Sequence, residues 1–404
     1  MIGENLTKFT FRDLFVFRGF KFAGSWITNG QILVKLRRTS KTGKCPKCKK
    51  FKRKPIEKFT RRIRDLDIGG VMCFIEIEVY RISCSCGFRS MEELEFAGKY
   101  ARFTRRFEEK VAVLCRAMTI KDAAEEMRIG WETAKNIDKE EAKKYVVALS
   151  EVSPKRIGID EIAYEKGHKY LTVVRDVDLR KVIWIGIKRQ KETLDKFFQE
   201  LGEEKSRQIS LVAIDMWDPF IASVKEHTNA EIVFDKFHVA KHVNEELDNV
   251  RKKEFAKADY RERSLMKHKR FLILSRKKNL DRTKKESLKN LMKKNDTLYK
   301  AYLLKEQILD IMDEPAEKKA NKRFAKWFDN IAIAKIPEFD KVARMLERYS
   351  YGIVNYFKHR ITNAASEGFN TKINVIKRRA YGFRDLEYFM LKIIQLCGIS
   401  SRNP

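Results

Sequence analysis

Three acidic residues, far apart in the chain, stand in surroundings that suit metal-assisted phosphate chemistry. Asp160 sits beside Glu161 in the short apolar run from Ile157 to Ile162. Asp215 follows directly on the apolar run from Ile209 to Ile214. Glu367 stands in HRITNAASEGFNTKINVIKRRAYGFRD, a segment with few other acids, near Asn363, Asn370, Lys372, Lys377, Arg378 and Arg379. Cutting a phosphodiester builds negative charge on both the attacking and the leaving oxygen. Two Mg2+ (or Mn2+) ions about 4 Å apart stabilise both and generate the nucleophile. Magnesium takes hard oxygen ligands and keeps several waters, so a few carboxylates suffice. Such carboxylates repel one another, a cost that a metal relieves. On its own Glu367 reads as a surface glutamate; placed with Asp160 and Asp215 it reads as a third acid of one site.

A second chemistry is written in cysteines. Of the seven, Cys45 and Cys48 form a C-x2-C knuckle, and Cys84 and Cys86 form C-x-C-G with Gly87. Four thiolates close a tetrahedral zinc site with no open position, which makes it structural. Gly87 permits the positive φ that so tight a turn needs. Cys73, Cys115 and Cys397 lie in apolar runs and read as core residues. Lys49, Lys50, Lys52, Arg53 and Lys54 around the first knuckle suit either a DNA-backbone contact or a solvated face.

These groups need elements to hold them. The runs 157–162, 168–174 and 181–187 read as three consecutive strands, followed by a helix over 192–201. A strand over 209–214 ends at Asp215, and Pro219 suits a helix start, where its missing N–H is harmless. A strand over 230–234 ends at Asp235, which opens the next helix. Three strands, helix, strand, helix, strand is the order of an RNase H-like fold, in which an acid inside the first strand meets one at the end of the fourth. His238 and His242, four apart, share a helical face; Asp235 as N-cap accounts for that helix start in purely structural terms.

Upstream, residues 104–145 show the helix-turn-helix pattern. Val111, Leu114 and Met118 make one helical stripe. Thr119 can cap a second helix that buries Ala123, Ala124 and Met127, and Gly130 lies in the turn before a third. In that motif the last helix enters the major groove, which makes Trp131, Glu132, Lys135 and Asn136 the side chains to reach DNA. An ordinary three-helix bundle would show the same stripe.

The whole chain points to a polyanion. Its 404 residues carry 87 Lys+Arg against 56 Asp+Glu, a net charge of +31. That excess is the electrostatic footprint of nucleic-acid binding. Hydrophobic residues at 43% exclude general disorder. The longest uncharged run, Phe22 to Val34, is too short and too polar for a membrane span. No signal peptide is expected, and the expected compartment is the cytoplasm, at the nucleoid when DNA-bound. Residues 251–285 hold fifteen Lys/Arg and four acids, with Phe255, Tyr260, Leu265, Met266, Phe271, Leu272 and Leu274 as an apolar stripe. That stretch reads as a basic helical insertion that tracks DNA or, alternatively, as a dimerisation arm.

The sequence resembles the ISL3 family of insertion-sequence transposases, which have a DDE catalytic core. The resemblance rests on IGIDEIA at 157–163, AIDMWDPF at 213–220, VFDKFHVAKH at 233–242, TNAASEGFNTKINVIKRRAYGFRD at 362–385 and the CPKC and CSCG pairs. It implies that Asp160, Asp215 and Glu367 bind two Mg2+ and that Cys45, Cys48, Cys84 and Cys86 bind zinc. It also implies that Asp235-Lys-Phe-His238 is the family's D-x-x-H element, with His238 positioning DNA.

The expected chain is therefore multidomain α+β. It comprises a zinc ribbon (1–95), a helix-turn-helix domain (96–150), a first part of an RNase H-like catalytic core (151–242), a helical insertion (243–345) and a closing part with the glutamate (346–404). The expected partners are double-stranded DNA, as terminal inverted repeats and as target, and further copies of the chain in a dimer or larger synapse. Rival readings are a non-catalytic DNA-binding regulator and a structure-selective nuclease.

Overall fold

The computed structural model describes residues 10–399 except 42, 46, 53, 54, 93, 99–101, 166, 168, 362 and 363, and the backbone of 51–52 and 364–367. The chain forms two compact units, residues 1–144 with 379–382 and residues 145–378 with 383–404. Among the described residues no helix is long and apolar enough to cross a membrane.

The first unit is built on a five-stranded sheet. Its strands are β1 (Phe20–Thr28), β2 (Gln31–Arg38), β5 (Glu57–Ile68), β6 (Val71–Ser83) and β7 (Arg89–Met91), with a small ladder of β3 (Gly43–Lys44) and β4 (Phe51–Lys52). The order is β1-β2-β6-β5, with β7 on the far end of β6. Strands β5 and β6 form a long hairpin whose turn, Gly69–Gly70, has φ of 58° and 78°, which only glycine adopts readily. Alternation along β6 buries Cys73, Ile75, Ile77 and Val79 on one face, where they meet Val34, Leu36 and Ile63. Cys84 and Cys86 thus follow directly on β6 of this sheet, and Cys45 and Cys48 lie between β3 and β4. Three helices follow: α1 (Arg105–Ala117), α2 (Ile120–Glu126) and α3 (Trp131–Lys143). The Thr104 hydroxyl caps α1 by accepting from the Phe107 amide, and Thr119 caps α2 by accepting from the Asp122 amide. Phe107, Val111, Cys115, Ala123, Ala124, Met127 and Ala134 pack their shared core. Thr104 Oγ1 also donates to Asp65 Oδ1 at 2.6 Å, tying the start of α1 to β5.

The second unit contains β8 (Arg156–Glu165), β9 (Lys169–Asp176), β10 (Lys181–Ile187), α4 (Lys191–Leu201), α5 (Glu203–Arg207), β11 (Leu211–Ile214), α6 (Asp218–His227), β12 (Glu231–Phe234) and α7 (Lys236–Lys257). The sheet order is β10-β9-β8-β11-β12: the first three strands are antiparallel neighbours, and β8, β11 and β12 run parallel. Strand β11 is shorter than the apolar run suggests, because the Ile209 amide turns back to the Ser206 carbonyl at 3.2 Å at the end of α5.

The chain then runs through α8 (Tyr260–Met266), α9 (Arg270–Leu274), α10 (Arg282–Met292), α11 (Asp296–Asp313), α12 (Glu317–Ala334), α13 (Pro337–Arg348), α14 (Ser350–His359), α15 (Ala364–Arg379) and α16 (Leu386–Cys397). Two cores flank the sheet. Ile157 and Ile159 join a large core with α4, α6, α7 and the helices through α14. Ile162, Leu171, Val173 and Val182 join Ile373, Ile376, Phe389 and Ile393 from α15 and α16. The helices of residues 243–345 thus share one continuous core with the sheet. Their apolar stripe is divided: Met266 is buried, whereas Tyr260 and Phe271 are 88% and 77% exposed. The segment breaks into α7, α8 and α9, so no single face continues through it. Much of its positive charge is paired within the unit. Arg251, Lys252 and Arg270 pair with Asp248, Lys253 with Glu338, and Arg276 and Lys278 with Asp313.

Candidate active site

The sheet register explains how two aspartates meet. Leu211 pairs with Arg156 and Ala213 with Gly158, in parallel. Continuing that register brings position 215, just past the end of β11, level with position 160. Asp160 has the parity of Ile162, so it points to the side covered by α15 and α16. Oxygens of Asp160, Glu161 and Asp215 lie within 4.8 Å of one another. Glu161 is the member of this group that sequence spacing does not single out, because strand alternation assigns neighbours opposite faces. Its longer side chain reaches the group regardless.

Each acid has a partner. Asn370 Nδ2 on α15 donates to Asp160 Oδ2 at 2.7 Å, and the Glu161 amide donates to Asp160 Oδ1 at 2.8 Å. Arg189 Nε lies 2.5 Å from Glu161 Oε1, and His238 Nε2 lies 2.7 Å from Asp215 Oδ1. Asp235 caps α7, accepting from the Phe237 amide at 3.1 Å. Burial first, and the Asp215 charge second, raise the pKa of Asp160 against the pull of its Asn370 hydrogen bond. Burial likewise pushes Glu161 up to about 7, with Asp215 adding to it. Asp235 is raised by burial. Burial works against a charged His238, but the bond to Asp215 and the surrounding carboxylates outweigh it and raise its pKa.

These groups line an open cleft of about 750 Å3, with Trp217, Phe237, Lys241 and His242 on its walls. Its donor set fits a hard divalent cation: three carboxylates converge, all with oxygen ligands. Glu161 Oε1 and Asp215 Oδ1 are buried, each against one side chain, Arg189 and His238 in turn. Carboxylates gathered this closely repel one another, a cost that a bound cation relieves.

The cysteine site is equally defined. Cys45, Cys48, Cys84 and Cys86 bring their sulfurs within 4.8 Å of one another, with Cys48–Cys84 and Cys45–Cys86 at 3.3 and 3.7 Å. Sulfurs about 2.3 Å from a tetrahedral ion sit roughly 3.8 Å apart, so the cage fits zinc. The Lys49 amide bonds back to the Cys45 carbonyl, and the Gly87 amide to that of Cys84, closing each turn. The Cys86 backbone amide is the largest influence on Cys84 and helps hold its thiol down at about 6, favouring the thiolate a metal needs. Cys73, Cys115 and Cys397 are buried.

The remaining expected residues fall in several places. On α3, Trp131 is half exposed, Asn136 is exposed, and Lys135 Nζ lies 5.6 Å from the Trp131 ring centroid. His238 and Asn370, expected to touch DNA, lie against Asp215 and Asp160. Lys372 donates to the Leu396 carbonyl and Lys377 to that of Ala163, while Arg378 is exposed. Arg379, at the end of α15, groups with the first unit. Asn363 and the side chain of Glu367 lie outside the described residues; the backbone places position 367 on α15, one turn before Asn370.

Comparison with known proteins turns this geometry into a family. Residues 157–393 match the ISL3 transposase model, residues 92–142 the helix-turn-helix domain of transposase family ISL3, and residues 41–86 the zinc-finger of transposase IS204/IS1001/IS1096/IS1165. The chain belongs to the ISL3 family of transposases. Its similarity to the transposase for insertion sequence element IS1001 of Bordetella parapertussis is 33% identity over 367 residues, 90% of each chain. With the transposase for insertion sequence element IS1557 of Mycobacterium tuberculosis it is 30% identity over 369 residues, 84% of this chain and 82% of the relative. The ISL3 match begins in β8, which bears Asp160, and runs through α15 into α16, so it takes in every element of the carboxylate site. The zinc-finger match ends on Cys86 and includes all four knuckle cysteines.

Proposed function

We propose that this chain is a DNA transposase that binds the terminal inverted repeats of its insertion sequence, cleaves the ends by metal-dependent hydrolysis and joins the freed 3′-OH to target DNA. The observation that carries this reading is the convergence of Asp160, Glu161 and Asp215 in one open cleft within the matched region. The order β10-β9-β8-β11-β12, with an acid inside the first strand and one after the fourth, supports an RNase H-like core that the helices of 243–345 interrupt.

In this reading Asp160, Asp215 and Glu367 hold two Mg2+, with Glu161 beside them. Bound there, the two ions would stabilise charge on both reacting oxygens and supply the nucleophile. Asn370 fixes the Asp160 carboxylate by its Nδ2 bond, and His238 fixes Asp215. Such supporting bonds hold a ligand in one orientation. Lys241 on the cleft wall attracts the phosphodiester. The zinc cage and α3, with Trp131, Lys135 and Asn136, form the end-recognising part. Lys372, Lys377, Arg378, Arg379 and Asn363 add DNA contacts near the cut. The expected modules are 1–95, 96–150, 151–242, 243–345 and 346–404. Holding two ends together requires at least a dimer.

The test is strand joining. Purified protein, Mg2+, a pre-cut end duplex with a free 3′-OH and a plasmid target should yield covalently joined product. Cutting of the duplex with no joined product would instead favour a nuclease.

A further inference from the structure

Trp217 stands two residues after Asp215, in the turn that leads from β11 into α6. It is 36% exposed, and Phe237, two residues after Asp235, is 44% exposed; both line the carboxylate cleft. Large aromatic rings usually contribute their area to a core. Neither of these is part of the described hydrophobic core. The structural duty of Trp217 is done by its backbone: its carbonyl accepts the Phe220 and Ile221 amides, both at 3.1 Å, to start α6. The fold therefore does not need the indole there. Yet the indole is held in place, because the Arg189 guanidinium lies 4.1 Å from its ring centroid while also pairing with Glu161.

We infer that Trp217, with Phe237, forms a stacking platform for a nucleotide taken out of the duplex beside the phosphate to be cut, so that the element end is unpaired as it is cleaved. This rests on the transposase reading above. Bases inside a duplex offer their faces only to one another; a base reaches a protein ring after it is extruded or when it is unpaired. Aromatic rings accept any base by its π-face. The cleft, about 750 Å3, has room for a nucleotide and sets positive Arg189 and Lys241 beside the rings. A base parked on Trp217 would anchor the strand two residues from Asp215 and so fix the neighbouring phosphate over the carboxylates.

The experiment uses the full chain and end duplexes with 2-aminopurine at each position flanking the cut site. Wild type, Trp217→Ala and Trp217→Phe are compared, first for 2-aminopurine fluorescence on binding without divalent metal, then for cleavage in Mg2+. Cleavage is measured on fully paired ends and on ends with a mismatch at the responding position. Wild type should change the fluorescence of one position severalfold, and Trp217→Ala should not. Trp217→Ala should cut paired ends about ten- to a hundredfold more slowly, the scale of one lost base stack. The mismatch should recover most of that loss, and Trp217→Phe should stay near wild type. Equal loss on paired and mismatched ends, or no loss at all, would overturn the platform while leaving the transposase reading intact. A wild type that neither binds nor cuts either end would overturn the transposase reading and this inference with it.

Discussion

Glu161 sits where a third negative charge is costly: beside Asp160 and Asp215, half-buried, with desolvation pushing its pKa up to about 7. A divalent cation in the cleft would favour its ionised form. Glu161→Gln should therefore leave the fold intact and slow strand cleavage by roughly ten- to a hundredfold, the usual scale for a group that supports a metal site. Extra Mg2+ should recover part of the loss; cleavage at the wild-type rate across a Mg2+ titration would remove Glu161 from the site. A second buried charge lies elsewhere. The Lys305 side chain is fully buried, with Nζ donating to the Ser275 carbonyl at 2.8 Å and pairing with Glu306, and burial lowers its pKa. A lysine depressed in the folded state is protonated more readily when unfolded, so stability rises with pH between its folded pKa and about 10.5. Thermal melts of Lys305→Met against wild type should show the wild type gaining relative stability as pH approaches that value; a pH-independent difference would contradict this. At this scale Asp160 and Asp215 are legible because each closes or interrupts an apolar run. Glu161 is not, because strand alternation hides it. His238 and Asn370 read as DNA contacts by their neighbours in sequence, yet the fold sets them on Asp215 and Asp160, across 23 and 210 residues of chain in turn (238 − 215 and 370 − 160).

The elements hold the site by close packing. Gly352 on α14 lies against Phe234, the last residue of β12, and an added Cβ would come within 2.4 Å of that ring. Gly352→Ala must push α14 off the strand that ends at Asp235. The expected cost is about 1–3 kcal/mol, as for other overpacked cores. Each kcal/mol should lower the melting temperature by about 2–4 °C in a unit of this size. An unchanged melt would mean that α14 shifts without resistance. In the first unit the zinc cage does much of the work of a packed core for the β3–β4 ladder: among the described residues, Cys45 and Cys84 are buried with Tyr80 and Ile82, against Cys48, Cys86 and Phe88. Elemental analysis should find about one zinc per chain, lost in Cys48→Ser together with protease resistance near the knuckles; full resistance without zinc would contradict a structural role. Strand and helix order were readable from periodicity, as was the cap at Thr119; the cap at Thr104 was not. The continuity of the helices of 243–345 with the sheet core was not. An apolar stripe marks a buried face without naming what buries it, and Tyr260 and Phe271 show that some of this stripe faces solvent.

At the scale of the molecule, the charge of +31 matches a chain that must gather polyanions. Charge composition identifies the partner class, but not which lysines and arginines face it, since many of those in 251–285 are paired internally. What joins the charge, the zinc cage, the three-helix motif and the carboxylate cleft into one account is cutting at DNA ends. The most direct measurement is strand cleavage of duplexes carrying the flanks of the native gene, in Mg2+, by wild type and by Asp215→Asn. Wild type should cut at the element ends, and those cuts should vanish in the variant with DNA binding retained. Specific binding by the wild type without cleavage in Mg2+ or Mn2+, or cuts that persist in Asp215→Asn, would contradict it.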